Sequence, residues 1–393
     1  MRATQIASGE CRWWVTSLPW CHMLSYRDLT HLATDYRERQ VLTVYLHTTS
    51  ENPAERNMWQ AELDHALDAL RARVKGGNHA ERTNLEKAIE QLRQWVIMRR
   101  SALRSPGVVV IVSFEEVLYA APTDTVVPNV ATWSKGIHLA PLLRSASYGE
   151  PSAVLLIDGR NAHLFRYEPP RLVERLETMS TKEDIDAERN LGAPTGAFHR
   201  GTRGPTAADE ADRLKMAARQ RLYADAVEKA ISLAAKEGWV VLTGTTRAVT
   251  AARQQVPSPM LARTITVDHV DIHVSDFELA QAVTRAIADR EMQRDRELVR
   301  EILDEHGARG KGVAGLEAAR ALLERDGVAD LLLSERFVAG RPEETDELVR
   351  AAIGHGATVR QVNGEAAADM DAQGEGVVAR LRYNMPVGEV ATL

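Results

Sequence analysis

The residues best suited to chemistry lie in a loop of glycines and basic side chains between residues 186 and 206. Glycine lets a backbone pass close to a partner, and arginine neutralises phosphate. The combination suits a contact with phosphates, but taken alone these residues favour an undedicated surface loop, because twenty irregular residues permit one. The residues assigned to this contact are Arg189, Gly192, Gly196, His199, Arg200, Gly201, Arg203 and Gly204.

His199 is the residue of this loop that could act as a general base. No carboxylate or nucleophile accompanies it at a recognisable spacing, so an RNA contact is the better interpretation. We therefore predict no catalytic residue.

Three acidic residues raise a second possibility, a nuclease that holds Mg²⁺ between carboxylates. Asp158 follows a predicted strand, and Asp268 and Asp271 lie on a later one. A turn-forming residue and two solvent-facing strand residues are the simpler interpretation. Two cysteines and a histidine near the N-terminus have no metal-site pattern, so we predict neither a metal nor a cofactor.

The elements that hold the glycine-rich loop begin near residue 148. A hairpin turn at Asp158-Gly159-Arg160-Asn161 joins the first two of three strands, and helices and strands then alternate. This order is that of a ribonuclease-H-like α/β layer. The predicted strands are 153–157, 162–167, 172–179, 239–243 and 264–272, and the predicted helices are 207–236 and 246–255.

A long helix from about Asp276 to His306 leads to the last part of the chain. Its second half alternates acidic and basic residues, which predicts a solvated face. A loop follows that we assign to a partner contact, and it is not a phosphate-binding P-loop, because no Ser or Thr follows Lys311. The loop residues are Arg309, Gly310, Lys311 and Gly312, and the elements after them are a helix at 316–323, a turn at 326–327 and strands at 328–333 and 377–383.

The N-terminal part predicts another α/β domain. A strand at 41–46 precedes two helices, the first of which carries Trp59, and strands follow at 108–114 and 117–121. Residues 1–22 have no clear period, and we interpret them as an extension or a mis-assigned start ahead of Met23. We predict domains at 23–147, 148–280 and 281–393.

Composition limits the class of protein. The 393 residues are 44% hydrophobic and 26% charged, which is typical of a soluble globular protein. No apolar run approaches the ~18–20 residues of a membrane helix, and two cysteines suit a reducing cytoplasm. The net charge of −6 argues against a generic nucleic-acid binder but leaves room for local basic patches.

The C-terminal part resembles that of the archaeal and eukaryotic class-1 release factors and of Pelota. The resemblance rests on a glycine-flanked loop before Gly315-Leu316-Glu317, followed by the strand Ala329-Asp330-Leu331-Leu332-Leu333-Ser334-Glu335. The hairpin of residues 153–167 and the turn at 242–244 resemble the middle domain of the same superfamily. With a weaker N-terminal match, the resemblance indicates a bacterial branch, the Balon-like ribosome-associated factors.

This resemblance implies an α/β fold of three domains, the middle one ribonuclease-H-like and the last an α/β sandwich. It also implies a factor that enters the ribosomal A site and sets the 186–206 loop near the peptidyl-transferase centre. In release factors the equivalent loop carries Gly-Gly-Gln, which is absent here, as is the stop-codon-reading Asn-Ile-Lys-Ser. The resemblance therefore favours ribosome hibernation without peptide release.

The alternatives are a release or rescue factor that hydrolyses peptidyl-tRNA with a loop lacking Gly-Gly-Gln, and a metal-dependent nuclease or non-ribosomal protein on the same fold. The implied partners are ribosomal RNA and elongation factor Tu or another translational GTPase, with no membrane partner.

Overall fold

A computed structural model of the chain describes residues 26–48, 58–99, 106–123, 126–148, 150–169, 171–181, 207–234 and 238–383. The chain divides into two compact units, one of residues 1–24 and 32–141 and one of residues 25–31 and 142–393. The division falls within α1 (Tyr26–Asp35). The predicted extension 1–22 lies outside the described residues.

The first unit contains an antiparallel four-stranded sheet of order β3-β2-β1-β4. Its strands are β1 (Gln40–Leu46), β2 (Gly107–Val112), β3 (Val117–Thr123) and β4 (Val130–Lys135). The predicted Trp-bearing helix and its neighbour are α2 (Met58–Val74) and α3 (His79–Arg99). Leucines of both helices and Trp59 pack on one face of the sheet, against Leu42 and Val44. β4 was not predicted, because only Trp133 of its six residues is buried and no alternation is visible.

The second unit opens with α4 (Leu143–Tyr148) and then forms the middle sheet, of order β7-β6-β5-β8-β9. β7, β6 and β5 pair antiparallel, whereas β5, β8 and β9 pair parallel. This is the order predicted for a ribonuclease-H-like layer. The strands are β5 (Ser152–Ile157), β6 (Asn161–Glu168), β7 (Arg171–Ser180), β8 (Val240–Gly244) and β9 (Thr264–Asp268).

Helices cover both faces of the middle sheet. One face packs against α5 (Ala207–Leu233) and α6 (Thr246–Arg253), and a 3-10 helix (Ser258–Arg263) precedes β9. β9 ends four residues before the predicted strand, because His269 adopts a positive φ of 66° that breaks the extended backbone.

The other face packs against α7 (Asp276–Gly307), the predicted long helix. Ser275 caps it, accepting a hydrogen bond from the Glu278 amide, and the Glu278 carboxylate accepts from the Ser275 amide in return. The prediction of a fully solvated second half was wrong for two residues, since Glu291 and Asp295 are buried. Their burial follows from a partner on the last sheet, described below.

The last sheet has the order β10-β13-β11-β12, with β11 and β12 parallel and β13 antiparallel to both of its neighbours. The predicted loop, helix, turn and strand are all present, and Gly315 reaches a φ of +105° at the cap of α8. Leu332 faces α7 and α11, whereas its neighbours in β11 point to the opposite face, so helices lie on both sides. The elements are β10 (Gly312–Ala314), α8 (Leu316–Leu323), β11 (Val328–Ser334), α9 (Glu335–Gly340), α10 (Pro342–Gly354), β12 (Thr358–Val362), α11 (Gly364–Gly374) and β13 (Val377–Leu381).

The predicted domain boundaries at 147 and 280 stay predictions. Within the described ranges, no helix is long and apolar enough to cross a membrane.

Candidate functional site

The predicted RNA-contacting residues lie outside the described residues. These are Arg189, Gly192, Gly196, His199, Arg200, Gly201, Arg203 and Gly204. The two elements that carry the ends of their segment are described, since β7 ends at Ser180 and α5 begins at Ala207. The base of this segment consists of the end of β7, the helix α5 and the β5–β6 turn that contacts both.

The turn between β5 and β6 forms the centre of the base. The Asp158 carboxylate accepts hydrogen bonds from the amides of Arg160 and Asn161, both at 2.6 Å. The Arg160 carbonyl in turn accepts from the amide of Thr181, the residue that follows β7. The turn is thus hydrogen-bonded to the residue at which the chain leaves the middle sheet.

Two side chains of α5 fasten the same turn from the helix side. Arg219 Nε donates to the Gly159 carbonyl at 2.9 Å, and the Tyr223 hydroxyl donates to the Asp158 carbonyl at 3.1 Å. Burial raises the pKa of Tyr223, so this phenol stays a donor across the neutral range. Sequence reasoning missed both residues: their i, i+4 spacing shows only that they share a helix face.

Positive charge surrounds this turn. Arg219 and Arg247 lie close enough to Tyr223 to act on it electrostatically, and Arg160 at the tip of the turn is exposed. Arginines of this kind suit contacts with phosphate oxygens.

A histidine lies on the opposite face of the sheet at the same end. His163 Nδ1 lies 3.0 Å from Thr178 Oγ1. Burial, and then the nearby Arg175, lower the pKa of His163, which favours the neutral imidazole at pH 7. Nothing in the local sequence beyond strand alternation marks this residue.

The three acids considered for a nuclease have other surroundings. Asp158 forms the turn as predicted. The prediction of Asp271 as a strand residue was wrong, since it lies beyond the end of β9 and accepts a hydrogen bond from the His273 amide at 2.7 Å. Asp268 ends β9 in register with Gly244. Over the described ranges, no three His, Cys, Asp or Glu residues come together as metal ligands.

The predicted C-terminal partner loop is the end of α7 and the start of β10. Arg309 has a φ of +56°, the Gly310 amide donates to the Glu305 carbonyl at 2.7 Å, and the Lys311 amide donates to the Glu305 carboxylate at 2.9 Å. A Cβ on Gly312 would lie 1.9 Å from the Ile302 carbonyl oxygen, so glycine is needed there for close packing.

A small cavity opens beside this loop. Its volume is about 270 Å³, and it is lined by Glu301, Ile302, Glu305, Lys311 and Arg380. The lining carries both charges, and Arg380 is paired with Asp330 at 2.7 Å. The assignment of Arg309, Gly310, Lys311 and Gly312 to a partner stays a prediction.

Comparison with known families identifies the segment that contains the base. Residues 138–292 match the sequence model of bacterial archaeo-eukaryotic release factor family 10. The matched segment holds the whole middle sheet and the first half of α7. The middle part of the chain therefore belongs to the archaeo-eukaryotic release-factor superfamily.

Solved structures of the superfamily are similar at low identity. Pelota of Archaeoglobus fulgidus is 16% identical with a TM-score of 0.33, over 61% of this chain and 66% of that one. Dom34 of S. cerevisiae is 10% identical with a TM-score of 0.42, over 62% and 66%. An archaeal Pelota from a ribosome-bound assembly with ABCE1 is 17% identical with a TM-score of 0.42, over 71% and 78%.

The chain thus spans 66% of the length of the first two of these structures. No curated protein sequence matches it.

Proposed function

We propose that this chain, whose middle part belongs to the release-factor superfamily, is a ribosome-binding translation factor that enters the A site. It presents the segment between β7 and α5 to ribosomal RNA near the peptidyl-transferase centre. The observation that carries the proposal is the release-factor match over residues 138–292, which includes this segment, all five strands of the middle sheet and α5.

The base of the segment supports a phosphate contact. The turn at Asp158 is tied to Thr181 on one side and to Arg219 and Tyr223 on the other. A fixed base limits the conformational entropy that the segment loses when it binds. The exposed Arg160 adds a cation to the base of the segment, and the sequence of the segment itself contains Arg200 and Arg203.

The sequence of the segment favours silencing of the ribosome over release of the peptide. Residues 186–206 contain neither paired glycines nor a glutamine. The nearest glutamine, Gln220, is an exposed residue inside α5. A release factor uses its Gly-Gly-Gln to position the water that cleaves peptidyl-tRNA, and a segment without it lacks that positioning group.

A GTPase partner, elongation factor Tu or another translational GTPase, belongs to the same proposal. The loop of Arg309, Gly310, Lys311 and Gly312 is its candidate contact. The mixed charges around the cavity next to Lys311 support a protein partner at this place.

The proposal is tested with purified protein, vacant 70S ribosomes, and ribosomes that carry peptidyl-tRNA. Co-sedimentation measures binding, and release of labelled peptide is followed in the same samples. Binding without release is the expected result. Release would favour the rescue-factor alternative, in which this segment hydrolyses peptidyl-tRNA by other groups.

Two results would contradict the proposal. Absence of binding to both kinds of ribosome would mean that the fold acts away from the ribosome. Metal-dependent RNA cleavage that disappears in Asp158→Ala would point to the nuclease alternative. Asp225→Ala, an exposed acid of α5 in the same part of the chain, is the matched control for that variant.

A further inference from the structure

The inward face of α7 changes character halfway along the helix. Leu279, Val283 and Ile287 pack in the core of the middle sheet, and Val299 and Ile302 pack in the core of the last sheet. At the two positions between them, with the same spacing of four residues, the helix carries Glu291 and Asp295, both buried. Acids at buried positions need partners, because burial removes their water.

The partners come from both sheets. Glu291 Oε1 accepts a hydrogen bond at 2.6 Å from the indole Nε1 of Trp239, the residue just before β8 of the middle sheet. Glu291 Oε2 accepts from Arg360 Nη1 at 2.7 Å, on β12 of the last sheet. The same Arg360 nitrogen lies 3.4 Å from Asp295 Oδ1.

We propose that these four residues form a polar latch that fixes the middle sheet and the last sheet in one relative orientation. The latch residues are Trp239, Glu291, Asp295 and Arg360. This inference goes beyond the proposed function, because it concerns the coupling of the two sheets and not what the chain binds.

The chemistry of the latch explains why it sets a single orientation. Apolar contacts tolerate sliding, whereas a guanidinium and an indole N–H must meet carboxylate oxygens at defined distances and angles. Arg360 lies on β12, the edge strand that pairs with β11, so Arg360 moves together with the whole sheet. A shift of the last sheet along α7 would leave buried charges unpaired, which strongly disfavours it.

The experiment measures the distance between the two sheets in the full chain. Spin labels are placed on cysteines introduced at the exposed Gln255, after α6, and at the exposed Glu343, in α10, with Cys11 and Cys21 replaced by serine. The unaltered latch should give one narrow distance distribution. Arg360→Met keeps an unbranched apolar side chain and removes the guanidinium with its charge, and should widen that distribution at least about twofold or add a second population.

Arg296→Met is the matched control. Arg296 also joins α7 to the last sheet's layer, through a 2.7 Å ion pair with Glu365, but both side chains are exposed. Exposed pairs contribute little, so this variant should keep the narrow distribution.

Glu291→Gln covers the case in which Arg360→Met does not fold. Glutamine still offers an oxygen to Trp239 but no longer attracts Arg360 as a charge, so some widening is expected. A distribution as narrow as that of the unaltered chain in every latch variant that folds would overturn the proposal. Because no ribosome is present, failure here is distinguishable from failure of the proposed function.

Discussion

The hydroxyl of Tyr26 accepts a hydrogen bond from the backbone amide of Val359 at 2.8 Å. The same hydroxyl donates to the carbonyl of Ala357 at 3.4 Å, so it bonds the chain at two points around the start of β12. β12 is an edge strand, whose outer side pairs with no strand among the described residues. A tyrosine from near the N-terminus thus takes the place that another strand would have.

Replacing Tyr26 with phenylalanine removes this hydroxyl and keeps the ring. The free energy of unfolding should fall by about 1 kcal/mol, the usual net contribution of such hydrogen bonds. Hydrogen exchange of the Val359 amide should also become faster, which mass spectrometry or NMR would detect. Tyr383→Phe is the control, since Tyr383 is half exposed, and equal exchange rates in the two variants would contradict the role given to Tyr26.

Alkaline pH should weaken the fold through its buried tyrosines. Burial raises the pKa of Tyr26 and of Tyr223 above the ordinary value near 10. The pKa of each tyrosine is higher in the folded state than in the unfolded state. The contribution of these phenols to the free energy of unfolding is therefore complete below about pH 10 and is lost as the pH rises through the folded pKa. Urea midpoints measured between about pH 8 and pH 11.5 should fall at the high end, and less steeply in Tyr26→Phe. Identical curves for both proteins would show that Tyr26 does not contribute.

The glycine that ends β8 should not tolerate a side chain. Gly244 has a φ of +132°, and a Cβ there would lie 1.8 Å from the carbonyl oxygen of Ile157 in the neighbouring strand. Gly244→Ala should therefore lose at least about 3 kcal/mol of stability, from backbone strain and overlap together.

Gly307→Ala is the control for that variant. Gly307 lies in the last turn of α7, and a Cβ there would meet nothing within 4 Å. Its replacement should leave stability unchanged or raise it by up to about 1 kcal/mol. Thermal unfolding of both variants gives the comparison, and a Gly244→Ala protein as stable as the parent would refute the steric argument.

Replacing Arg200 and Arg203 with alanine should weaken ribosome binding and flatten its dependence on salt. Each lost phosphate contact should lower the slope of log affinity against log salt by about one unit. Co-sedimentation at several salt concentrations measures that slope. Arg325→Ala with Arg336→Ala removes the same charge from exposed positions around β11 and should change the slope less. An unaltered slope in the Arg200 and Arg203 variant would mean that the segment does not anchor the protein.

Local sequence patterns predicted most of the fold because most of its elements bury a continuous apolar run. Val154 and its neighbours in β5 are all buried, and the strand is visible in the sequence for that reason. β10 has three residues and β12 is interrupted by Arg360, so neither has such a run. The stretch from α9 to α11 was not predicted, because short helices with mixed faces give a weak period.

The site was less predictable than the fold. Glycine and arginine content could mark the segment between β7 and α5, but the base that anchors it depends on contacts distant in sequence. Tyr223 meets Asp158 from 65 residues away, and Arg360 meets Glu291 from 69 residues away. The charge pattern along α7 alone predicted that Glu291 is exposed to solvent, because its partner Arg360 lies on another element.

Two sheets that draw core residues from one helix should not unfold independently. Loss of α7 would expose the side of the middle sheet around Val283 and the side of the last sheet around Ile302 at the same time. Unfolding of either sheet would therefore remove contacts that stabilise the other, and calorimetry should record a single cooperative peak for both sheets. Protease cleavage inside α7 should accordingly destabilise both sheets, including the one far from the cut.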